Sequence, residues 1–495
     1  MKLCVSLTEP TTAATLARMA QLAPVADLFE VRADFVRDLD LGALLAARVK
    51  PLLLTCRAES EGGRWPDADN ASRREVLAAA VARGFDLVDV EARAGFDDVA
   101  AAKAGRGLVL SWHDFAGTPD DLDAIFERMA AVQPDVVKIS VLARTVEDLG
   151  RLLAFARRRF AARRLGDPAL VALAMGEEGV ASRVLGGRYG APFTFASPSL
   201  GLEAAPGQLP ARALADLYRV RSLTSATRVY GVLGQDVLRS LSPAIHNRAF
   251  AALGEDAVYV PLQAGSLAAF LRALPALELS GFSVTRPYKQ QILPHLASIE
   301  PEAARAGSVN TVVVREAALH GSSTDGDGVL VPLGAAGSPA TGRRAVIVGA
   351  GGAARAAAFA LVRAGATVTV VARRPEQAAE VAAATGAAAA PLAAVASLDW
   401  DVLLNATPVG SGSLPGALPV PASALRPGAI VFDMVYEPRE TPLLAAARAR
   451  GCRTIDGVAM LAAQAVGQLR AWVGAAPALD LLGEAAAAAL AESRA

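Results

Sequence analysis

The sequence predicts an α/β protein made of an N-terminal (β/α)8 TIM barrel followed by a two-domain α/β unit with a Rossmann-like domain. The first observation is that roughly 220 residues alternate short apolar stretches with helical segments, which is the size of such a barrel. The second is the stretch VIVGAGGAAR, Val346 to Arg355, where an apolar strand enters a helix through three glycines. With 495 residues, the chain is also too long for one ordinary domain.

The predicted barrel contains eight strands, separated by helical segments such as Ser72–Arg83 and Thr145–Arg159. An open doubly wound sheet is the alternative arrangement of the same elements. The eight strands are Leu3–Leu7, Leu28–Val31, Pro51–Cys56, Leu87–Glu91, Leu108–Trp112, Val136–Ser140, Leu170–Ala174 and Phe193–Ala196.

A small and polar stretch, Arg221–Thr227, separates the barrel from the rest of the chain and predicts a linker. We therefore predict a first domain over 1–222 and a mixed α/β domain over 228–334, which C-terminal helices in 456–495 complete. The Rossmann-like domain is predicted over 335–455. The alanine-rich segment Glu484–Ala491 is predicted to be helical.

Composition narrows the class of protein. Lys plus Arg equals Asp plus Glu, at 49 each, so no net charge draws the chain to nucleic acid or to an acidic membrane. No apolar run reaches transmembrane length, and the first residues lack the pattern of a signal peptide. The three cysteines lie far apart without metal-ligand spacing, which favours free thiols in a reducing compartment. We expect a cytoplasmic protein with no metal, no nucleic-acid partner and no membrane contact.

The glycine-rich turn predicts a dinucleotide site in the loop formed by Gly349, Ala350, Gly351, Gly352 and Ala353. Gly349 permits a tight turn, and Gly351 lets the backbone approach a pyrophosphate. The phosphates then lie at the N-terminus of the helix, where free N–H groups favour negative charge. The alternative is a tight turn that binds nothing.

The end of the next strand indicates which dinucleotide binds. A site for NAD usually carries Asp or Glu about 20 residues past the glycines. Here Ala372 is followed by Arg373 and Arg374, whose guanidinium groups suit the 2′-phosphate of NADP. A solvated basic loop is the alternative. The sequence therefore favours NADP as the cofactor.

Two residues of the barrel carry the strongest chemical signal. Reacting groups in such barrels lie at the C-terminal ends of the strands. Lys138 lies in an apolar strand where a charged amine is costly, so we expect a low pKa and a nucleophilic amine. The alternative is a structural lysine paired with Glu30, Glu91 or Asp34. His113 ends the preceding strand and could move protons, or could be a hydrogen-bonded structural histidine.

Further motifs follow one another through the whole first part, and Arg32, Arg57 and Arg183 offer guanidinium groups for a carboxylate. The motifs are CVSL at 4–7, EVRAD at 30–34, TCR at 55–57 with EGG at 61–63, SWHDF at 111–115, VKI at 137–139, MGEEGVASR at 175–183 and APGQ at 205–208. At these motifs the first part resembles a type I 3-dehydroquinate dehydratase. The resemblance implies that Lys138 forms a Schiff base with 3-dehydroquinate and that His113 is the general acid/base. It implies substrate contacts by Ser6, Glu30, Arg32, Arg57, Arg183 and Gln208. Ala204 stands where the family often has serine.

Two pairs of polar residues stand out in 228–334. Ser240 and Ser242 alternate, so both hydroxyls point the same way if the segment is extended, as binding of a carboxylate or polyol requires. A Ser-Pro turn or a helix cap is the alternative. Lys289 and Asp325 could hold a substrate hydroxyl and exchange its proton while hydride moves to or from a nicotinamide. The alternative for this pair is a surface salt bridge.

The second part of the chain resembles a shikimate dehydrogenase. The resemblance rests on these residues and on the motifs NATPVG at 405–410, DMVY at 433–436 and DGVAMLAAQ at 456–464. The resemblance implies that Lys289 is the catalytic acid/base, with Asp325 as its partner. It places NADP against the glycine-rich loop, Arg373 and Gly457. It implies contacts to shikimate by Ser240, Ser242, Thr285, Asn310, Asp325, Tyr436 and Gln464.

Together the two resemblances imply a bifunctional enzyme that dehydrates 3-dehydroquinate to 3-dehydroshikimate and then reduces this ketone to shikimate with NADPH. Its partners would be these small molecules. One alternative is an NAD-dependent catabolic quinate/shikimate dehydrogenase fused to the dehydratase, against which Arg373 and Arg374 argue. The other is a non-catalytic metabolite-sensing regulator, against which the complete Lys138/His113 and Lys289/Asp325 pairs argue.

Overall fold

A computed structural model describes residues 1–101, 107–412 and 414–492 of the chain. The chain forms two compact units. The first consists of Met1–Val229 and Asp256–Leu279, and the second of Tyr230–Glu255 and Ser280–Ala495. Within the described residues, no helix is both long and apolar enough to cross a membrane.

The first unit contains a sheet of nine parallel strands in the order β7-β6-β5-β4-β3-β2-β1-β8-β9. Each of the first seven strands pairs with its neighbour in sequence, and β1 also pairs with β8, so the strands follow the order of a (β/α)8 barrel rather than that of a doubly wound sheet. All eight predicted strands are confirmed, and their ends lie within two residues of the prediction. The strands are β1 Lys2–Leu7, β2 Leu28–Arg32, β3 Leu52–Thr55, β4 Leu87–Glu91, β5 Gly107–Asp114, β6 Val136–Leu142, β7 Ala169–Met175, β8 Phe193–Ser197 and β9 Leu209–Pro210.

Helices separate these strands and begin where the sequence supplies a cap. Thr145 accepts a hydrogen bond from the Asp148 backbone N–H, and the Asp148 carboxylate accepts one from the Thr145 backbone N–H, so a capping box starts α6. Gly84 ends α3 with a φ of 94°, which favours glycine. The helices are α1 Thr12–Leu22, α2 Leu41–Ala46, α3 Asn70–Arg83, α4 Asp97–Ala101, α5 Leu122–Ala130, α6 Val146–Ala162 and α7 Ala181–Leu185.

The rest of the chain forms two six-stranded sheets with helices between their strands. Ten helices follow in the described part: α8 Ser242–Leu253, α9 Leu267–Leu277, α10 Tyr288–Gln291, α11 Pro301–Ala306, α12 Asp325–Ala335, α13 Gly352–Arg363, α14 Pro375–Thr385, α15 Pro442–Ala449, α16 Gly457–Val473 and α17 Leu479–Glu492. The strands are β10 Arg228–Gly234, β11 Ala257–Gln263, β12 Leu279–Val284, β13 Ser298–Ile299, β14 Thr311–Arg315, β15 Ala318–Ser322, β16 Arg344–Val348, β17 Thr367–Ala372, β18 Ala388–Pro391, β19 Val402–Asn405, β20 Ile430–Asp433 and β21 Arg453–Ile455.

The sheet that follows the glycine-rich motif has the strand order β18-β17-β16-β19-β20-β21, and all its strands are parallel. This is the Rossmann order, with β16 and β19 on the two sides of the topological switch point where such sheets bind ligands. Ala345 and Ile347 pack into one hydrophobic cluster, and Val346 and Val348 into another. Both faces of β16 are therefore buried, which explains the unbroken apolar run before the glycines. The other sheet is mixed, in the order β11-β10-β12-β14-β15-β13.

One segment of the first unit lies far from the barrel in sequence. Helix α9 packs on α6 so closely that a Cβ on Gly150 would lie 3.1 Å from the Cβ of Ala273. Residues 256–279 therefore cluster with the N-terminal unit, although the sequence assigns them to 228–334. The domain boundaries given above remain a prediction.

The inner face of the barrel changes from apolar to polar along the strands. One cluster of inward-facing side chains includes Cys4, Val136, Val171 and Phe195. Because side chains alternate along a strand, the next inward position after Val136 is Lys138. The apolar cluster is therefore followed, one inward position further along β6, by a charged group. The first candidate site lies at this change from apolar to charged side chains.

Candidate active sites

Lys138 is buried, with 6% of its surface exposed, and is the third residue of strand β6. Its Nζ donates a hydrogen bond to Oδ2 of Asp89 over 3.3 Å and lies 4.0 Å from the centre of the Phe195 ring. The sequence offered Glu30, Glu91 or Asp34 as its partner and missed Asp89. The available signal was the alternation of two acids along apolar strand β4, which turns both Asp89 and Glu91 to one face.

Asp89 remains ionised because two cations face it. Burial by itself would raise the pKa of this carboxyl, but Arg57 and Lys138 outweigh burial and lower it to about 2. Arg57 donates to Asp89 over 2.8 Å and to the hydroxyl of Ser111 over 2.7 Å. Since its charge is also paired with Glu91, Arg57 holds this network in place rather than awaiting a partner.

His113 is paired with Glu61, a residue of the EGG motif to which the sequence assigned no role. Its Nδ1 lies 2.8 Å from Oε2 of Glu61, so Nε2 is the nitrogen left for proton transfer. Burial, with the positive charges of Arg57 and Lys138, lowers the pKa of His113 well below 6.5. Burial raises the pKa of Glu61 to about 7, although Arg57 opposes the shift. His113 is therefore neutral near pH 7 and can accept a proton.

We expect the imidazole of His113 to remain neutral at pH 6.5, where a free imidazole is about half protonated. The reason is the lowered pKa, because an imidazole is uncharged above its pKa. Nitrogen chemical shifts of labelled histidine across pH 5–8 would test this, with the signal assigned by its loss in His113→Asn. Half-protonation of His113 at pH 6.5 or above would contradict the expectation.

Arg183 differs from the other two predicted arginines. Arg32 forms two hydrogen bonds with the Asp34 carboxylate, of 2.8 and 2.7 Å. Arg183 is 1% exposed, forms no ion pair within the described residues, and leaves its Nε without a hydrogen-bond partner. Burial lowers its pKa to about 10. A buried guanidinium without an anion is costly, so Arg183 has the capacity to pair with an anionic ligand.

A loop closes over the same end of the barrel through Gln208. Its Nε2 donates to the hydroxyl of Ser6 over 3.2 Å, and its Oε1 accepts from the Ala204 backbone N–H over 2.7 Å. Ser6 in turn donates to Glu30 over 2.5 Å. Arg183 donates to the carbonyl oxygen of Pro206 over 3.0 Å. The loop that contains Ala204 and Gln208 is thus fixed to both sides of the site.

A second cluster of polar groups surrounds Asp325, which is fully buried at the first turn of α12. Its carboxylate accepts hydrogen bonds from Lys289 Nζ over 2.6 Å, from Asn310 Nδ2 over 2.7 Å and from Gln464 Nε2 over 2.8 Å. Lys289 keeps 19% of its side chain exposed, so its amine can be reached by a ligand. Four predicted residues from distant parts of the chain thus meet at one carboxylate.

Asn310 and Gln464 are both held in place. The carbonyl oxygen of the Asn310 side chain accepts from the Thr324 backbone N–H over 2.9 Å and from the Thr311 hydroxyl over 2.7 Å. These contacts turn its amide N–H toward Asp325. A Cβ on Gly328 would lie 2.7 Å from Cγ of Gln464, so this glycine lets α12 approach α16.

The segment with Ser240 and Ser242 is not extended, which corrects the expectation that both hydroxyls point the same way. Leu241 has helical φ and ψ, Ser242 begins α8, and the Ser240 hydroxyl accepts a hydrogen bond from the Ser242 backbone N–H over 3.2 Å. Pro243 explains the difference because proline favours the first turn of a helix. Of the other predicted substrate contacts, Thr285 directly follows β12 and half-buried Tyr436 follows β20.

The glycine-rich loop has the geometry that a dinucleotide needs. Gly349 has a φ of 117°, and a Cβ there would lie 2.9 Å from the Ala406 carbonyl oxygen, so only glycine fits. A Cβ on Gly351 would meet nothing within 4 Å, which leaves open space over the N-terminus of α13. A Cβ on Gly352 would lie 3.9 Å from Cδ of Lys289. The loop therefore adjoins the catalytic candidate, with Ala350 and Ala353 as its small neighbours.

Arg373 and Arg374 are exposed after β17, and neither forms an ion pair within the described part of the chain. Their charges are therefore available to a phosphate. Gly457 has a packing role, because a Cβ there would lie 2.6 Å from the Val435 carbonyl oxygen.

Comparison with known proteins agrees with the order of these sites. A family model described as type I 3-dehydroquinase matches residues 3–225, one described as shikimate dehydrogenase substrate binding domain matches 232–312, and a putative NAD(P)-binding model matches 339–408. A relative from Arabidopsis thaliana, the bifunctional 3-dehydroquinate dehydratase/shikimate dehydrogenase, chloroplastic, is 33% identical over 91% of this chain and 78% of its own length. The chain belongs to this bifunctional family.

Two further relatives cover the second part. The shikimate dehydrogenase (NADP(+)) of Moorella thermoacetica is 43% identical over 50% of this chain and 89% of its own length. The solved structure of shikimate 5-dehydrogenase from Thermus thermophilus, in complex with NADP(H) and shikimate, is 39% identical. It covers 53% of this chain and 99% of its own, with a TM-score of 0.50.

Proposed function

We propose that the barrel dehydrates 3-dehydroquinate to 3-dehydroshikimate and that the second part reduces 3-dehydroshikimate to shikimate with NADPH. The observation that carries the first half of the proposal is Lys138, a buried amine on the strand that pairs with the strand of His113, whose lowered pKa keeps this histidine neutral. The observation that carries the second is the convergence of Lys289, Asn310 and Gln464 on Asp325 beside the dinucleotide loop.

In the barrel, the amine of Lys138 adds to the substrate ketone and water leaves, which gives an imine. The positive nitrogen then stabilises the electrons released when His113 removes a proton from the adjacent carbon. Return of that proton to the departing hydroxyl releases water and leaves an imine conjugated to the new double bond, which becomes the enone when the imine is hydrolysed. Hydrolysis of the imine frees Lys138. Arg183 binds the substrate carboxylate, and Ser6, Glu30 and Gln208 bind its hydroxyls. Arg32 and Arg57, which also pair with Asp34 and Asp89, complete the proposed substrate contacts.

In the second part, Lys289 donates a proton to the carbonyl oxygen as it becomes a hydroxyl, and Asp325 orients both the lysine and that oxygen. When bound, the reduced nicotinamide supplies the hydride. The open space over Gly351 and the unpaired charges of Arg373 and Arg374 fit a dinucleotide with a 2′-phosphate. Ser240, Ser242, Thr285 and Tyr436 complete the proposed shikimate pocket.

A single assay tests both activities. Purified protein receives 3-dehydroquinate and NADPH, and the enone absorbance and the loss of NADPH are followed together. We expect the enone to appear and then to be consumed as NADPH is oxidised. An enone that accumulates without oxidation of NADPH would contradict the second activity, and no enone at all would contradict the first.

The cofactor preference should depend on Arg373 and Arg374. Charge-assisted contacts to phosphate are worth about 1.5–3 kcal/mol, so loss of one should weaken NADPH binding by roughly ten- to a hundredfold. NADH lacks the phosphate and should be little affected. The KM values of both cofactors would be measured for Arg373→Ala, Arg374→Ala and the double variant. An unchanged NADPH/NADH preference in the double variant would show that these arginines belong to a solvated loop that does not select the cofactor. The NAD-dependent alternative would then have to be considered again.

We also propose a cytoplasmic location, without nucleic-acid or membrane partners. All three cysteines are free and buried, as a reducing compartment favours, and the net charge is zero.

A further inference from the structure

Ser197, the last residue of β8, carries a buried polar atom that the mechanism above does not use. The residue is 0% exposed, and its Oγ has no hydrogen-bond partner within the described residues. A buried hydroxyl without a partner is costly, so Ser197 has a hydrogen-bonding capacity that a bound ligand can satisfy.

The strand geometry directs this hydroxyl toward the dehydratase site. Side chains alternate along a strand, so Ser197 faces the same way as Phe195, whose ring lies 4.0 Å from Lys138 Nζ. Strand β1 pairs with β8 in the register Cys4 with Phe195 and Val5 with Ala196. Continuing this register by one residue places Ser6 beside Ser197, and neighbouring strands lie about 5 Å apart.

The groups around Ser197 identify the chemistry of its partner. Ser6 and Gln208 are neutral hydrogen-bonding groups and already contact each other over 3.2 Å. Strand β9, which begins directly after Gln208, pairs Leu209 with Ala196, so this glutamine flanks the same end of β8. The cation suited to a carboxylate is Arg183, whose guanidinium bonds Pro206 in the closing loop. A neutral hydroxyl among neutral groups is suited to a hydroxyl of the substrate ring.

We propose that Ser197 is a further substrate-binding residue, whose hydroxyl bonds a ring hydroxyl of the dehydratase substrate. The inference rests on the proposed function of the barrel. If Ser197 has this role, the Ser197→Ala variant should lose activity without losing thermal stability. In the free protein the substitution removes an unpartnered polar atom, so the melting temperature stays the same or rises. In the complex a substrate hydroxyl loses its partner, so kcat/KM for dehydration falls about five- to a hundredfold.

Thr194 on the opposite face of β8 provides a matched control. It is also buried, but its hydroxyl donates to the Arg183 carbonyl oxygen over 2.9 Å. We therefore expect Thr194→Val to lower the melting temperature, whereas Ser197→Ala does not. Reduction of added 3-dehydroshikimate should be unchanged in Ser197→Ala.

The two variants and the wild type would be compared by thermal melts and by dehydration of 3-dehydroquinate. A Ser197→Ala enzyme with the kcat/KM of the wild type would overturn the inference. So would a melting temperature lowered as in Thr194→Val, because it would assign the hydroxyl a structural role. Wild-type protein that does not dehydrate 3-dehydroquinate would instead contradict the proposed function.

Discussion

Lys138→Ala is expected to lose dehydration of 3-dehydroquinate to background while it reduces added 3-dehydroshikimate at the wild-type rate. Among the described residues of the barrel site, Lys138 carries the amine that can form an imine, and no proton transfer by His113 replaces that step. Arg57 donates to Asp89 over 2.8 Å in the wild type, so we expect the buried carboxylate to retain a cation in this variant. The loss should therefore reflect chemistry rather than collapse of the site.

The Lys138→Arg variant tests whether position 138 needs a nucleophilic amine or only a positive charge. A guanidinium keeps the positive charge next to Asp89 but stays protonated and does not form the imine. We expect it to be as inactive as Lys138→Ala. Borohydride added with substrate should increase the mass of the Lys138 peptide in the wild type and in neither variant, with Lys2→Ala as an exposed control that still reacts. Substantial dehydration by Lys138→Arg would show that the site needs a charge at this position and not an amine.

Much of the fold could be predicted because buried parallel strands have a simple sequence pattern. Both faces of such strands are covered, so they appear as unbroken apolar runs, as in β16. Residues that interrupt such an apolar run are also easy to recognise in the sequence. Lys138 was identified because a lysine interrupts a β-branched strand, and the glycine-rich loop because strand, turn and helix follow in fixed order.

The pairing of side chains could not be predicted in the same way. Glu61 lies in a short 3-10 turn, 52 residues before His113, and only the path of that loop brings the two together. Asp89 was overlooked because strand register decides which of several inward acids meets Lys138. At Ser240 the alternating pattern suggested an extended segment, but the following proline starts a helix. In each case the residue types were visible, whereas their partners depended on tertiary structure.

Asp325→Asn and Lys289→Ala are each expected to lower the rate of 3-dehydroshikimate reduction by about 10²- to 10⁴-fold, the usual contribution of a positioned acid/base. The carboxylate of Asp325 accepts from three donors, so an amide there would turn an N–H₂ group toward another donor and release Lys289. Dehydration by the barrel should be unchanged in both variants.

The control for the second site is Asp327→Asn, in the same first turn of α12 but exposed to solvent. It should keep both activities, because the ion pair with Lys289 is formed by Asp325 and not by Asp327. The double variant Lys289→Ala/Asp325→Asn gives the decisive comparison. When two residues act as one unit, removing either one already removes the contribution of both to the rate. The double variant should therefore be no slower than the slower single variant. Single-turnover oxidation of NADPH would measure the rates. Losses that multiply in the double variant would mean that Asp325 and Lys289 act independently, and that the 2.6 Å contact between them does not position the proton donor.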